Sequence, residues 1–294
     1  MRRRTFLTNL ILIPVAGMTM KLEELNKMAS SFDSTGMMPV LFVGHGSPMN
    51  AIEDNVFSRK WTEIGKTLPW PKAILSVSAH WETKGVQVTA MKNPKTIHDF
   101  GGFPQELFEV EYPASGSPEL ASETADLLAP SEVLSDQSWG LDHGTWSVLK
   151  RMYPMADVPV FQLSLDYTRS PESHYQLARQ LAPLREKGVL IIGSGNMVHN
   201  LRMIAWDKLD EPGFGHDWAL EANAKMKQLI LAGNHKALIN YHSQGRAFEL
   251  AIPTAEHFLP LLYVLGLKKD HEQIEFFNDE AVAGSLTMTS LRID

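Results

Sequence analysis

Two hydrophobic patterns alternate along this chain. The first is a set of short, nearly unbroken apolar runs at residues 38–43 (MPVLFV), 73–78 (AILSVS), 158–164 (VPVFQLS) and 188–193 (GVLIIG). Each is bounded by Gly, Pro or polar turn residues and has the length of a strand buried on both faces. Residues 86–91 alternate with the period of a strand, and 285–293 close the chain as another. The second pattern recurs every three to four residues and predicts helices over 56–68, 117–129, 145–152, 172–186, 218–231 and 253–265, the last with Thr254 as its N-cap. Residues 93–117, rich in Gly and Pro, are expected to form an ordered loop. Strands alternating with helices predict an α/β fold, with a central mainly parallel or mixed sheet flanked by helices. No linker-like stretch divides the chain after residue 38, so 38–294 reads as one domain, with 21–37 as a linker or short helix.

Composition narrows the chemistry more than the fold. With 44% hydrophobic and 21% charged residues, the 294-residue chain is ordinary for a globular protein. Its 34 acidic residues outnumber 27 basic ones, and no basic stripe lies beyond the extreme N-terminus, which argues against nucleic-acid partners. Cysteine is absent, excluding disulfides, thiolate catalysis and thiolate metal sites. A bound metal must use nitrogen and oxygen donors, and there are 11 histidines.

The N-terminus, MRRRTFLTNLILIPVAGMTM, pairs Arg2, Arg3 and Arg4 with an apolar run from Phe6 to Met18. That run is short for a stable membrane span but suits a signal segment. Arg3-Arg4-Thr5-Phe6-Leu7 resembles a twin-arginine export signal. Residues 1–20 are therefore expected to direct the protein to the periplasm, with a cytoplasmic location as the alternative.

His45, His80 and His199 each follow an apolar strand run. In open α/β sheets the loops at the carboxyl ends of strands build the ligand crevice, so three such histidines can converge on one point. His143 lies in a loop beside Gly144, and His257 in the first turn of a predicted helix. Imidazole suits Fe, Zn, Cu or Ni. A lone loop histidine is more often a surface or hydrogen-bonded residue, but shared placement weakens that reading. His174, His216, His235, His242 and His271 lie in polar segments and read as surface. Other signals are weaker. Gly44-His45-Gly46 and Gly193-Ser194-Gly195 lack phosphate-cradle spacing. Ser47 and Ser194 lie outside G-x-S-x-G, and Gly193–Asn196 reads as a tight turn delivering His199.

The strings PVLFVGHGSPMNAIEDN, ILSVSAHW, TIHDFGGFPQELFEVEYPA, WGLDHGTWSVLKRMYP, GVLIIGSGNMVHNLR and TAEHFLPLLYVLG occur in this order from about Met38 to the C-terminus. Together they resemble the 4,5-DOPA dioxygenase branch of the class III extradiol ring-cleaving dioxygenases. The resemblance does not cover residues 1–37. It implies one divalent metal, Fe(II) for catalysis or Zn(II) as bound. It carries over His45, His80 and His257 as metal ligands, with Glu256 as the fallback for the third. His199 matches a catalytic acid–base that can become a fourth ligand to zinc, His143 a second catalytic histidine, and His98 a substrate-binding pocket residue. The implied partners are a catechol and O2. Three protein ligands on one face would leave open positions for both catechol oxygens and dioxygen. A zinc-dependent hydrolase, or a non-catalytic interaction protein on the same scaffold, is the alternative.

Overall fold

The computed structural model describes residues 36–209 and 211–294. The signal and linker expectations for residues 1–35 lie outside them. The central element is an eight-stranded mixed sheet. Its strands are β1 (Val40–Gly44), β2 (Ala73–Thr83), β3 (Val86–Thr89), β4 (Val133–Asp136), β5 (Val160–Asp166), β6 (Val189–Gly195), β7 (Ile274–Phe277) and β10 (Ser290–Ile293). They lie in the order β4-β3-β5-β2-β6-β1-β10-β7. The inner four, β5-β2-β6-β1, are parallel, while β10 runs antiparallel to β1 and β7 antiparallel to β10. Two short strands, β8 (Ala281–Val282) and β9 (Leu286–Thr287), pair separately.

Successive strand residues point to opposite faces, and in the inner strands both faces are apolar. Val40 and Phe42 of β1, Leu75 and Val77 of β2 and Ile191 of β6 join one core layer. Leu41 and Val43, Ile74, and Leu190 and Ile192 join the other. The second layer is covered by α1 (Val56–Thr67) and α4 (His143–Met152), through Trp61, Ile64, Trp146 and Leu149. The first is covered by α5 (Pro171–Gln180), α7 (Asp217–Leu231), α9 (Arg246–Ala251) and α10 (Leu259–Gly266). The remaining helices are α2 (Gln105–Phe108), α3 (Pro118–Leu127), α6 (Ala182–Glu186) and α8 (His235–Ile239). No described helix is long and apolar enough to cross a membrane.

Several expectations need correction. The predicted 253–265 helix starts only at Leu259, with Pro260 in its first turn. A helix begun at Thr254 would carry Pro260 in its interior, where the missing N–H and the ring clash are costly. The 172–186 helix breaks into α5 and α6, because Pro183 is tolerated in a first turn but not mid-helix. Strand β6 runs on through Gly195, so Gly193–Gly195 is strand rather than turn. His174 is fully buried rather than on the surface, held between the Tyr263 hydroxyl (3.1 Å) and the Asp166 carbonyl (3.2 Å).

Candidate metal centre

Parallel strands share a direction, so the carboxyl ends of β1, β2, β5 and β6 open on the same side. His45 follows β1 directly, and its N–H donates to the Gly195 carbonyl at 3.1 Å. His80 is placed differently from the sequence expectation. It lies inside β2, where the register against β5 shifts between Val77 and Glu82. Such irregularities re-aim a side chain, and here one falls at the site. His143 is the first residue of α4. The buried Asp142 caps that helix by accepting from the Thr145 N–H (3.1 Å), and is itself held by Ser78 Oγ (2.7 Å) and Gln162 Nε2 (2.6 Å). His257 sits in the turn before α10, and its carbonyl accepts from the Asn196 N–H at 2.9 Å. His199 leaves β6 four residues after its end, its N–H donating to the Ala251 carbonyl.

Two glycines allow this convergence. A Cβ on Gly144 would stand 2.7 Å from Ser78 Oγ and 2.9 Å from His80 Cδ2, and one on Gly195 would stand 2.2 Å from the His257 carbonyl oxygen. Any side chain at either place would push a histidine aside.

Five imidazoles meet as a result. His45 and His80 approach Nε2 to Nε2 at 3.0 Å. One nitrogen from each of His45, His80 and His257 lies within 4.8 Å of the others. The His199 ring stacks on His257 at 3.5 Å, nearly parallel, and the His143 ring is 3.9 Å from that of His80. The far nitrogens face oxygen. His45 Nδ1 meets Ser194 Oγ at 3.0 Å, and that hydroxyl spends its own proton on the Gly144 carbonyl. Ser194 can then only accept, so His45 carries its proton on Nδ1 and leaves the Nε2 lone pair free. His257 Nδ1 meets Glu256 Oε1 at 3.1 Å. His80 Nδ1 lies 3.4 Å, and His143 Nδ1 3.0 Å, from Asp99 Oδ2.

Burial, and then the neighbouring imidazoles, hold His45 and His80 well below the ordinary histidine range. Burial and His257 bring His199 down to about 3. Burial also lowers His257, although Glu256 opposes it. These four rings are therefore neutral near pH 7, the state in which imidazole ligates a metal. Two nitrogens about 2.0–2.2 Å from one ion stand roughly 3.0–3.4 Å apart at ordinary coordination angles, and the His45–His80 approach matches that spacing. Buried neutral donors with lone pairs facing one another fit a divalent cation. Glu256 is a weaker candidate for third ligand, because His257, its own backbone N–H and Thr254 already use its carboxylate, overcoming burial to bring it down to about 2.

His98 stands apart from this cluster. Its Nε2 donates to the Val110 carbonyl at 2.9 Å and its ring packs on Phe100, Phe108 and Trp146. Phe100 in turn touches His143 at 5.6 Å between ring centroids. Sequence reasoning assigned no role to Asp99 or Ser194. Asp99 adjoins His98 in a loop, and nothing local signals that its carboxylate faces histidines from β2 and α4. Ser194 reads in sequence only as a candidate nucleophile or turn residue.

A mixed α/β sheet with an imidazole cluster at the carboxyl ends of its parallel strands is a scaffold able to hold a divalent metal, and sequence comparison specifies the family. Residues 39–290 match the family described as the catalytic LigB subunit of aromatic ring-opening dioxygenase, and the chain belongs to that family. It is 48% identical to a 4,5-DOPA dioxygenase extradiol of Escherichia coli K12, over 88% of this chain and 96% of that protein. It is 38% identical to one of Beta vulgaris, over 85% and 94%. The crystal structure of an uncharacterized Escherichia coli K12 protein superposes with a TM-score of 0.76 at 42% identity, covering 87% of this chain and all of that one.

Proposed function

We propose that this protein is an extradiol dioxygenase that opens a catechol-type, DOPA-like ring with O2 at one divalent metal held by His45, His80 and His257. The observation that carries the reading is the mutual approach of those three side chains, with Nδ1 of each facing an oxygen. A redox-active divalent metal bound there, such as Fe(II), would gather the two catechol oxygens and dioxygen and relay electrons between them.

The chain's own groups supply the rest. His199 is neutral, so it can accept a proton from a substrate hydroxyl once a developing anion beside it favours the imidazolium, and return it as the ring opens. Its stacking on His257 supports it as the fourth donor proposed for the zinc form. His143, its Nδ1 turned to Asp99, has Nε2 left for a hydrogen bond to substrate. Phe100 gives this side of the site an aromatic wall suited to a flat ring, with His98 behind it. The test is anaerobic reconstitution with Fe(II), followed by oxygen uptake across a panel of catechols including DOPA. Stoichiometric uptake with a ring-opened product is expected. No uptake with any catechol at full iron occupancy would reject the assignment.

Residues 1–20 are proposed to export the folded protein to the periplasm, on the strength of the Arg3-Arg4-Thr5-Phe6-Leu7 string. Residues 1–35 fused to a folded reporter should leave the cytoplasm, and Lys at both Arg3 and Arg4 should stop them. Cytoplasmic retention of the unaltered fusion would refute export.

A further inference from the structure

Each proposed ligand has its own oxygen partner, but one partner serves two histidines. Asp99 lies in the loop between β3 and α2, far in sequence from both rings it faces. Its Oδ1 accepts the backbone N–H of His143 at 2.9 Å. That N–H opens α4 and has no partner within the helix, and a carboxylate is favoured at such an end. Oδ2 faces His143 Nδ1 at 3.0 Å and His80 Nδ1 at 3.4 Å. Oδ2 and His143 Nδ1 are both buried, and neither makes a hydrogen bond of good geometry, their own 3.0 Å approach included. An aspartate ordinarily ionises well below neutral pH, and as a carboxylate it can only accept.

We propose that Asp99 is a positioning residue that fixes the tautomers of His80 and His143 together, holding both protons on Nδ1 and turning both Nε2 lone pairs into the site. This rests on His80 being a metal ligand and His143 an active-site group. One side chain thereby couples metal capture to substrate contact. A carboxylate behind a metal-bound imidazole fixes ring orientation and raises donor strength, and its loss commonly weakens metal binding about 10–100-fold. Asn at this position keeps an acceptor for the His143 N–H but presents an N–H to the two Nδ1 atoms, which favours the opposite tautomer at both rings.

The experiment has two readouts besides turnover. Long-range 1H–15N correlation spectra of the metal-free wild type at pH 8, above the ordinary imidazole range, should show His80 and His143 protonated on Nδ1. Asp99→Asn should lower Fe(II) and Zn(II) affinity by about 10–100-fold in chelator competition, and should move the proton to Nε2 in at least one ring. Asp99→Glu should recover part of the affinity. A wild-type His80 or His143 protonated on Nε2 overturns the proposal without any variant having to fold. So does an Asp99→Asn protein with wild-type metal affinity. His80→Ala separates the two readings: undiminished metal affinity there would refute His80 as a ligand, while the wild-type spectra still decide the role of Asp99.

Discussion

Two clusters of buried polar groups lie at opposite ends of the inner strands, and they are built on opposite principles. Where the amino ends of β1 and β6 gather, Arg185 of α6 is fully buried. It donates to the Met38 carbonyl (2.7 Å), the Leu267 carbonyl (2.8 Å) and both carboxylate oxygens of Glu272, which also accepts from the Lys269 N–H (2.7 Å). Opposite charges cancel and the donors end on acceptors. At the carboxyl ends, five imidazoles crowd together with two carboxylates, and lone pairs of neutral rings face one another. The first cluster is complete without a guest. The second leaves nitrogen lone pairs free to hold something electron-poor. A buried polar group with all its partners is architecture, and one with lone pairs left over points to a ligand.

The comparison can be broken at its strongest point first. His45→Ala, His80→Ala and His257→Ala should each lose metal and activity together, the activity by more than the His199 variants below, as read by elemental analysis and oxygen uptake. Full metal in His257→Ala combined with loss in Glu256→Ala would transfer the third ligand to Glu256. His199→Gln, prepared as the iron form, should keep its metal while kcat falls roughly 10²–10⁴-fold with little change in KM, the signature of a proton-transfer group. Unchanged turnover would make His143 the next candidate base.

The other cluster should respond in stability and not in chemistry. Arg185→Met leaves the Glu272 carboxylate buried and unpaired, at a cost of about 3–5 kcal/mol in urea denaturation. Turnover per folded molecule should stay at the wild-type level, and Arg185→Met with Glu272→Leu should recover much of the loss. Burial alone would raise the Glu272 carboxyl, but the hydrogen bonds from Arg185 and the Lys269 N–H hold it below its ordinary value. Its folded pKa is thus depressed. Its contribution is fully present above the unfolded value of about 4.3, and is lost as pH falls through the folded one. The stability gap between wild type and Glu272→Gln should therefore close as pH drops below about 4.3; a gap that widened there would contradict the pairing. The smallest effect belongs to the buried His174–Tyr263 pair. Tyr263→Phe should cost about 1–3 kcal/mol by leaving His174 Nδ1 without its hydroxyl, again with no change in turnover.

The inner strands were readable because burial on both faces writes an unbroken apolar run into the sequence, as in residues 188–193. The outer strands β4 and β7 were missed for the complementary reason. They are half-exposed edges, with Leu134 and Ser135 of β4 facing solvent, and such strands carry no continuous signal. His45, His80 and His199 were legible through their position after strand runs, which fixes the end of the sheet where they emerge. His80 kept its place near the site although the strand continues past it, because the register shift in β2 turns its side chain there.

The sequence by itself therefore determined the α/β class, the donor type open to a metal in a chain without cysteine, and most of the residues that gather at the site. These follow from local period, composition and chain direction, which do not depend on distant contacts. Only the tertiary structure decided which nitrogen of each ring is free, since Ser194, Asp99 and Glu256 make that choice. Ser194 meets His45 across 149 residues, and Asp99 lies 44 residues from His143. A tautomer is set by whichever acceptor the fold brings to the ring, and that acceptor leaves no local trace in the sequence.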